Sequence, residues 1–380
     1  MVVSRAIFAT SMCGSALVGS GNILKNGINS SMSQLQFQSS AIATTAGVTG
    51  AFLTCLVLEL AGVGRSTDTP PWSEVLHNLR PWMLLGGVLG AASVGLQTFL
   101  IEPIGAVLLH VVQLSTELVV ALIVDSFGCL ALAQRKVTPL RAAGVLTSIL
   151  GACSTVNDFV GATGDGGPQA RGFLLILFLG LAVLIGCVRP VQTVVNGGMR
   201  RALKSPVRAA TISILMSLLV LAALSTAQLV VSVEQRTAFF TAFAAQSTRL
   251  LWWHALSGPM STYSVVAPVV FAPIVSLSGF SGASMTGQLM TSLIADHYGF
   301  FGMHQVPLTA QRVGGVFIVL CGAFIVRWAD ARAASLDAAA TAAATAAAAG
   351  TGGGGLESEK ESLMKSSTAV DRPASELDDE

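Results

Sequence analysis

Long apolar runs alternate along this chain with short polar breaks. Uncharged runs recur at 6–24, 35–58, 81–101, 172–188 and 209–233, each near the ~20 residues that a helix needs to cross a bilayer. Residues 103–124 repeat the pattern with a single charge, Glu117. Residues 250–295 are uncharged for 46 residues, room for two spans, and Pro268 and Pro273 mark the expected turn between them. The runs 142–157 and 313–326 are shorter, but Arg141 and Arg312 stand just ahead of them and can snorkel to the interface. The pattern predicts an all-α integral membrane protein with about ten transmembrane helices, the N-terminal run being the first span and not a cleaved leader.

Composition agrees. Hydrophobic residues make up 52% of the chain and charged residues 11%, against roughly 25% charged in soluble domains. A chain of 380 residues that apolar cannot hide its side chains in one water-facing core, so lipid is its solvent. The net charge of +1, with no basic stripe interleaved with aromatics, argues against a nucleic-acid partner. The six cysteines are scattered without a Cys-x-x-Cys pair. They read as small packing residues, and no metal or cofactor site is expected.

Lysine and arginine set the orientation. With the N-terminus inside, the inner segments hold 13 lysines and arginines before the tail is counted, and the outer segments hold 5. Both termini are therefore expected in the cytosol, in a plasma membrane or an endomembrane. From about Asp337 an Ala/Thr run, four glycines and an acidic, Ser-rich end replace the apolar pattern; this tail is expected to be disordered, its alanine run transiently helical.

The chain repeats itself. An offset of 171 residues places Trp82 on Trp253, Gly87 on Gly258, Asp125 on Asp296, Arg141 on Arg312 and Gly151 on Gly322. Upstream the offset becomes 167, where Asn29-Ser-Ser-Met32 meets Asn196-Gly-Gly-Met199. The expected organisation is a five-helix repeat over 1–157, a linker at 158–171, a second repeat over 172–330 and the tail over 331–380. An odd number of spans per half inverts the second repeat relative to the first. Inverted repeats are the architecture of secondary transporters, whose sites lie near the midplane between the halves.

The motifs Gln192-Thr-Val-Val-Asn196, Thr286-Gly-Gln-Leu289, Leu293-Ile-Ala-Asp-His-Tyr-Gly299 and Pro307-Leu-Thr-Ala-Gln-Arg312-Val-Gly-Gly315 carry a family resemblance. The chain resembles the YdcZ-like inner-membrane exporters of the drug/metabolite transporter superfamily, with two five-helix units fused. The resemblance is closer over 172–326 than over the first half, and it implies ten helices in inverted repeats with both termini cytosolic. The first half departs from the pattern: Glu117 replaces the glutamine seen at Gln288, and Lys25 stands where Gln192 does.

Polar residues inside a span are costly and are functional candidates by default. His110, Gln113 and Glu117 share one face of the fourth span, at i, i+3 and i+7. The ninth span carries a neutral counterpart in Ser281, Ser284, Gln288 and Ser292, ending at Asp296. Glu117 reads either as a carboxyl that takes and loses a proton during transport or as a buried carboxyl bonded to His110 or to a facing helix. Asn22, Lys25 and Asn29 on the first span mirror Arg189, Gln192 and Asn196 on the sixth. Lys25 and Arg189 read either as ligands for an anionic solute or as cations snorkelling to the interface. The Asp125/Arg141 and Asp296/Arg312 pairs share one spacing and are expected to close hairpins as ion pairs.

The leading function is a secondary transporter of small solutes, an exporter working by alternating access, with a coupling proton at Glu117. The competing function is a membrane scaffold acting through the acidic tail. An enzyme is disfavoured, since no nucleophile or metal-ligand pattern stands out.

Overall fold

A computed structural model of the chain describes residues 5–367, apart from 38, 129–133, 135–136, 162–171, 247–251 and 303–304. Every regular element among them is helical. The helices are α1 (Arg5–Met32), α2 (Ser40–Leu60), the short α3 (Trp72–Asn78), α4 (Leu85–Ile104), α5 (Ala106–Phe127), α6 (Pro139–Gly161), α7 (Phe173–Leu203), α8 (Pro206–Val231), α9 (Val233–Gln246), α10 (Ser257–Val275), α11 (Leu277–Tyr298) and α12 (Ala310–Ser367).

Eight segments among the described residues are long and apolar enough to cross a membrane: Ser40–Leu60, Pro81–Ile104, Ala106–Phe127, Pro139–Asp158, Phe173–Leu203, Pro206–Val231, Trp252–Val275 and Ala310–Ala333. The two long helices outside that set are α1 and α11, which the apolar pattern counts as the first and ninth spans. At 28 and 22 residues both have the length; serine, glycine and asparagine dilute their apolar side chains. These two helices pack against each other, and most of α11 is buried. A Cβ on Gly19 would collide with the backbone of Ser284, and one on Gly287 with that of Ala16, so glycine at the crossing lets the two backbones approach. On the other helices many large apolar side chains point outward. Leu53, Leu150, Phe173, Ile176, Leu219 and Phe317 are all more than half exposed, a surface that water would penalise and a bilayer solvates.

The inner helices are joined by very tight turns. Gly105 alone separates α4 from α5, and Ser276 alone separates α10 from α11. Their φ angles are 78° and 77°, and they lie one repeat offset apart. Gly105 adopts this left-handed backbone without a clashing Cβ. Ser276 adopts it as a non-glycine, and its hydroxyl accepts a hydrogen bond from the Gly279 amide at 2.9 Å. The turn expected at Pro268 and Pro273 is thus displaced, since both prolines lie inside α10. Proline removes one backbone donor, which a packed helix tolerates; reversal of φ ends the helix outright.

The carboxylates of the repeat lock these turns from a distance. Asp296, near the end of α11, accepts from the amides of Ala106 at 3.2 Å and Val107 at 2.8 Å, at the start of α5. Asp125, near the end of α5, accepts from the Ser278 amide at 3.1 Å, at the start of α11. The two helices therefore run antiparallel, each carboxylate capping the other helix where unpaired amides concentrate positive charge. Arg141 joins Asp125 at 3.4 Å and the Ser278 hydroxyl at 3.0 Å, forming the first of the two expected hairpin pairs. In the second half Arg312 pairs with Asp158 at 3.1 Å while Asp296 serves as the cap. On the far side α6 and α12 also run antiparallel, Gly144 packing on Gly322 and Gly151 on Gly315.

A buried ion pair ties α2 to α8. Arg208 donates from Nη2 to Glu59 Oε1 at 2.6 Å and from Nε to the same oxygen at 3.0 Å. It also bonds the Pro70 carbonyl, and its guanidinium lies 4.6 Å from the centroid of the Trp72 ring.

The stretch from Trp328 onward is a separate compact unit. Where the sequence pattern expects a disordered tail over 331–380, α12 continues as helix to Ser367. Alanine, the strongest helix former, fills much of the stretch after Asp337, and residues 339–345 are exposed, so local propensity supports this segment. Residues 368–380 lie outside the described residues.

Candidate functional site

The polar residues singled out along the chain gather where α1, α5, α7 and α11 meet. On α5, His110, Gln113 and Glu117 are buried on one face. Opposite them on α11 lie Ser281, Ser284 and Gln288, also buried. Glu117 bonds to the facing helix: Ser281 donates its hydroxyl to Glu117 Oε1 at 2.9 Å. His110 is tied to its own helix instead, with Nδ1 2.7 Å from the Ala106 carbonyl.

Arg189, on α7, closes the cluster. Its Nε stands 3.8 Å from Glu117 Oε2, and its Nη1 donates to Gln288 Oε1 at 3.5 Å. Gln288 in turn donates to the Ser284 hydroxyl at 3.1 Å. One arginine thus bridges the ionisable stripe of α5 and the neutral stripe of α11. Pro190 beside it leaves α7 continuous from Phe173 to Leu203.

Lys25 reaches the same region from α1. It is 3% exposed, and the charged group acting on it is Arg189. His110 lies within the electrostatic reach of both cations. Burial sets Lys25 apart from a snorkelling lysine, whose ammonium would stand in the headgroup region. The remaining candidates flank this centre. Asn29 accepts from the Ser257 hydroxyl at 2.6 Å. Asn196 turns its side-chain oxygen toward Gly86, and Gln192 packs beside Gly90. Several buried polar atoms here have no hydrogen-bond partner among the described residues: Asn22 Nδ2, both amide atoms of Gln113, His110 Nε2 and Glu117 Oε2. Buried polar groups are normally paired, and this cluster departs from that rule.

Two contributors were missed by the sequence pattern. Asn26 donates to Gln97 on α4 at 2.7 Å, linking α1 to a helix on which no polar residue had been singled out. A lone glutamine inside the apolar run 81–101 was the available signal.

Two cavities flank the cluster. One, of about 690 Å³, is lined by Ser33, Ser39, Thr98, Glu102 and Gln228 among others. The other, of about 560 Å³, is lined by Arg200, Arg201, Lys204, Val269 and Pro273 among others. Their walls correspond through the repeat: Ser33 is the counterpart of Arg200, Thr98 of Val269 and Glu102 of Pro273. Neither Glu117 nor Arg189 lines either cavity.

Against known proteins, the sequence matches one family pattern twice. The pattern described as "Putative inner membrane exporter, YdcZ" covers residues 10–154 and then 177–325, so the two halves are related units. No curated protein matches the chain. A solved crystal structure shares the fold at 14% sequence identity, with a TM-score of 0.51 over 87% of this chain and 99% of that one.

Proposed function

The chain belongs to the YdcZ family of inner-membrane exporters, and from that membership we propose that it is a multi-pass secondary transporter moving small solutes by alternating access. The observation carrying this reading is the buried polar cluster that α1 and α5 of the first half build with α7 and α11 of the second. An ionisable group held in apolar surroundings is expensive, and a protein without use for Lys25, Glu117 and Arg189 would fill these positions with packing residues.

The proposed architecture is ten spanning helices, α1 and α11 included, in two inverted five-helix repeats over 1–157 and 172–330. Support comes from the reciprocal caps, in which Asp296 serves α5 and Asp125 serves α11, and from the antiparallel α6/α12 crossing. Exchange of conformation between two such halves exposes one central site first to one face and then to the other. The two cavities stand at the two approaches to that site. Glu117 is the group assigned to carry a coupling proton, because its carboxylate can release Arg189 when protonated and hold it when ionised. The orientation with both termini cytosolic follows from the lysine and arginine bias and places the basic cavity on the cytosolic side. The protein then works by binding and translocation, not by catalysis.

Purified protein in proteoliposomes, given a panel of metabolites and organic ions across a pH gradient, is expected to move at least one solute class. Absence of flux for every solute, with the protein folded and oriented, would remove the transport reading. Truncation after Asp337 is expected to leave flux unchanged, because the site is built entirely from α1, α4, α5, α7, α10 and α11. A folded but inactive truncation would instead favour a working role for the tail.

A further inference from the structure

We propose that the solute bound at this site carries a fixed negative charge, a carboxylate or a phosphate, seated against Lys25 and Arg189. The inference deepens the transport reading and rests on it.

Lys25 carries the argument. It is 3% exposed, and among the described residues it has no hydrogen bond or ion pair. A buried ammonium without a counter-charge is strongly unfavourable, and here the charge that acts on it is another cation, Arg189. The carboxylate at the cluster is Glu117, whose pairing is with Arg189 at 3.8 Å, beyond hydrogen-bond distance. Among the described ion pairs Glu117 is engaged by Arg189, and none joins Lys25 to a carboxylate. An anion between Lys25 and Arg189 supplies Lys25 with a counter-charge and takes the place of Glu117 as the partner of Arg189. Donors are ready beside it: Asn22, one turn before Lys25 on α1, and Gln113, one turn before Glu117 on α5, each hold a side-chain amide nitrogen without a partner.

The approaches differ in the same sense. The cavity lined by Arg200, Arg201 and Lys204 is basic, while the corresponding wall of its counterpart offers Ser33 and Glu102. Arg200 is fixed to the Val269 carbonyl at 2.5 Å, which holds its guanidinium at the cavity wall. A basic vestibule concentrates anions at its mouth. The general excess of cations on the cytosolic side accounts for this vestibule by itself; it does not account for Lys25, which lies buried in the helix bundle.

The test is ligand-induced thermal stabilisation of the full-length protein in detergent, with benzoate, inorganic phosphate, the cation tetraphenylphosphonium and the zwitterion glycine betaine as probes. Benzoate or phosphate is expected to stabilise the wild type. Lys25→Gln, which installs the residue found at Gln192, is expected to weaken that binding by about tenfold or more, and Lys25→Arg to recover much of it. Stabilisation by neither anion overturns the proposal, as does an anion response that Lys25→Gln leaves unchanged. Binding needs no translocation, so the two readings fail separately. Anion binding without flux in liposomes removes transport and keeps the site; flux of tetraphenylphosphonium without anion binding keeps transport and removes the anion.

Discussion

Glu117→Gln is expected to fold and insert normally, yet to flatten the pH dependence of solute flux and lower its rate by about tenfold, the equivalent of roughly 1.4 kcal/mol. Glutamine is the residue at the corresponding position, Gln288, and is nearly the same size. It can still accept the Ser281 hydroxyl that now stands 2.9 Å from Glu117. It cannot take up or release a proton, and it cannot neutralise Arg189, 3.8 Å away. The substitution therefore separates the two meanings of this carboxyl. A purely structural acid would be replaced with little consequence, leaving flux and its pH profile as they were. A coupling acid would leave thermal stability in detergent close to wild type while flux lost its response to pH. Measuring both on one preparation distinguishes them, and unchanged flux at every pH would take Glu117 out of the mechanism.

The second large effect concerns the pair joining α2 to α8. Glu59→Ala is expected to destabilise the protein by about 3–5 kcal/mol, because it leaves a buried arginine without its counter-charge. Arg208 and Glu59 each keep only 4% of their side-chain surface accessible and meet at 2.6 Å, so water cannot replace the missing partner cheaply. Replacing both residues by methionine is expected to recover most of the loss, since an apolar pair of similar volume needs no desolvation. Thermal unfolding in detergent of the single and double variants measures this directly. A single variant as stable as wild type would mean that the pair is solvated in the membrane-embedded protein.

The expected helices and the described ones differ mainly where hydropathy and packing pull apart. Averaged hydropathy finds helices that face lipid. It undervalues α1 and α11, whose serines, asparagines and glycines lower the average although most of them are buried against neighbouring helices. The turn between α10 and α11 was misjudged for a related reason. Pro268 and Pro273 are conspicuous in sequence, but the chain reverses at Ser276, whose φ of 77° no residue type announced.

The candidate site divides along similar lines. The stripe on α5, its neutral counterpart on α11 and the matched polar ends of α1 and α7 were legible, because spacing along a helix decides which side chains share a face. So was the repeat, since an offset is a property of the order of residues. Which faces meet was not legible. Glu117 has Ser281 as its partner and not His110. Arg312 is paired with Asp158, 154 positions away in the chain, and Arg208 with Glu59, 149 positions away. Asn26 finds Gln97 across a helix interface that no local pattern encodes. Membrane residence, helix register and the repeat follow from the sequence by itself, because they depend on local apolar periodicity and on self-similarity. The burial of Lys25 beside Arg189, the reciprocal caps at Asp125 and Asp296 and the unequal charge of the two cavities were decided only by tertiary structure, because they depend on which distant helices pack and how closely their backbones approach.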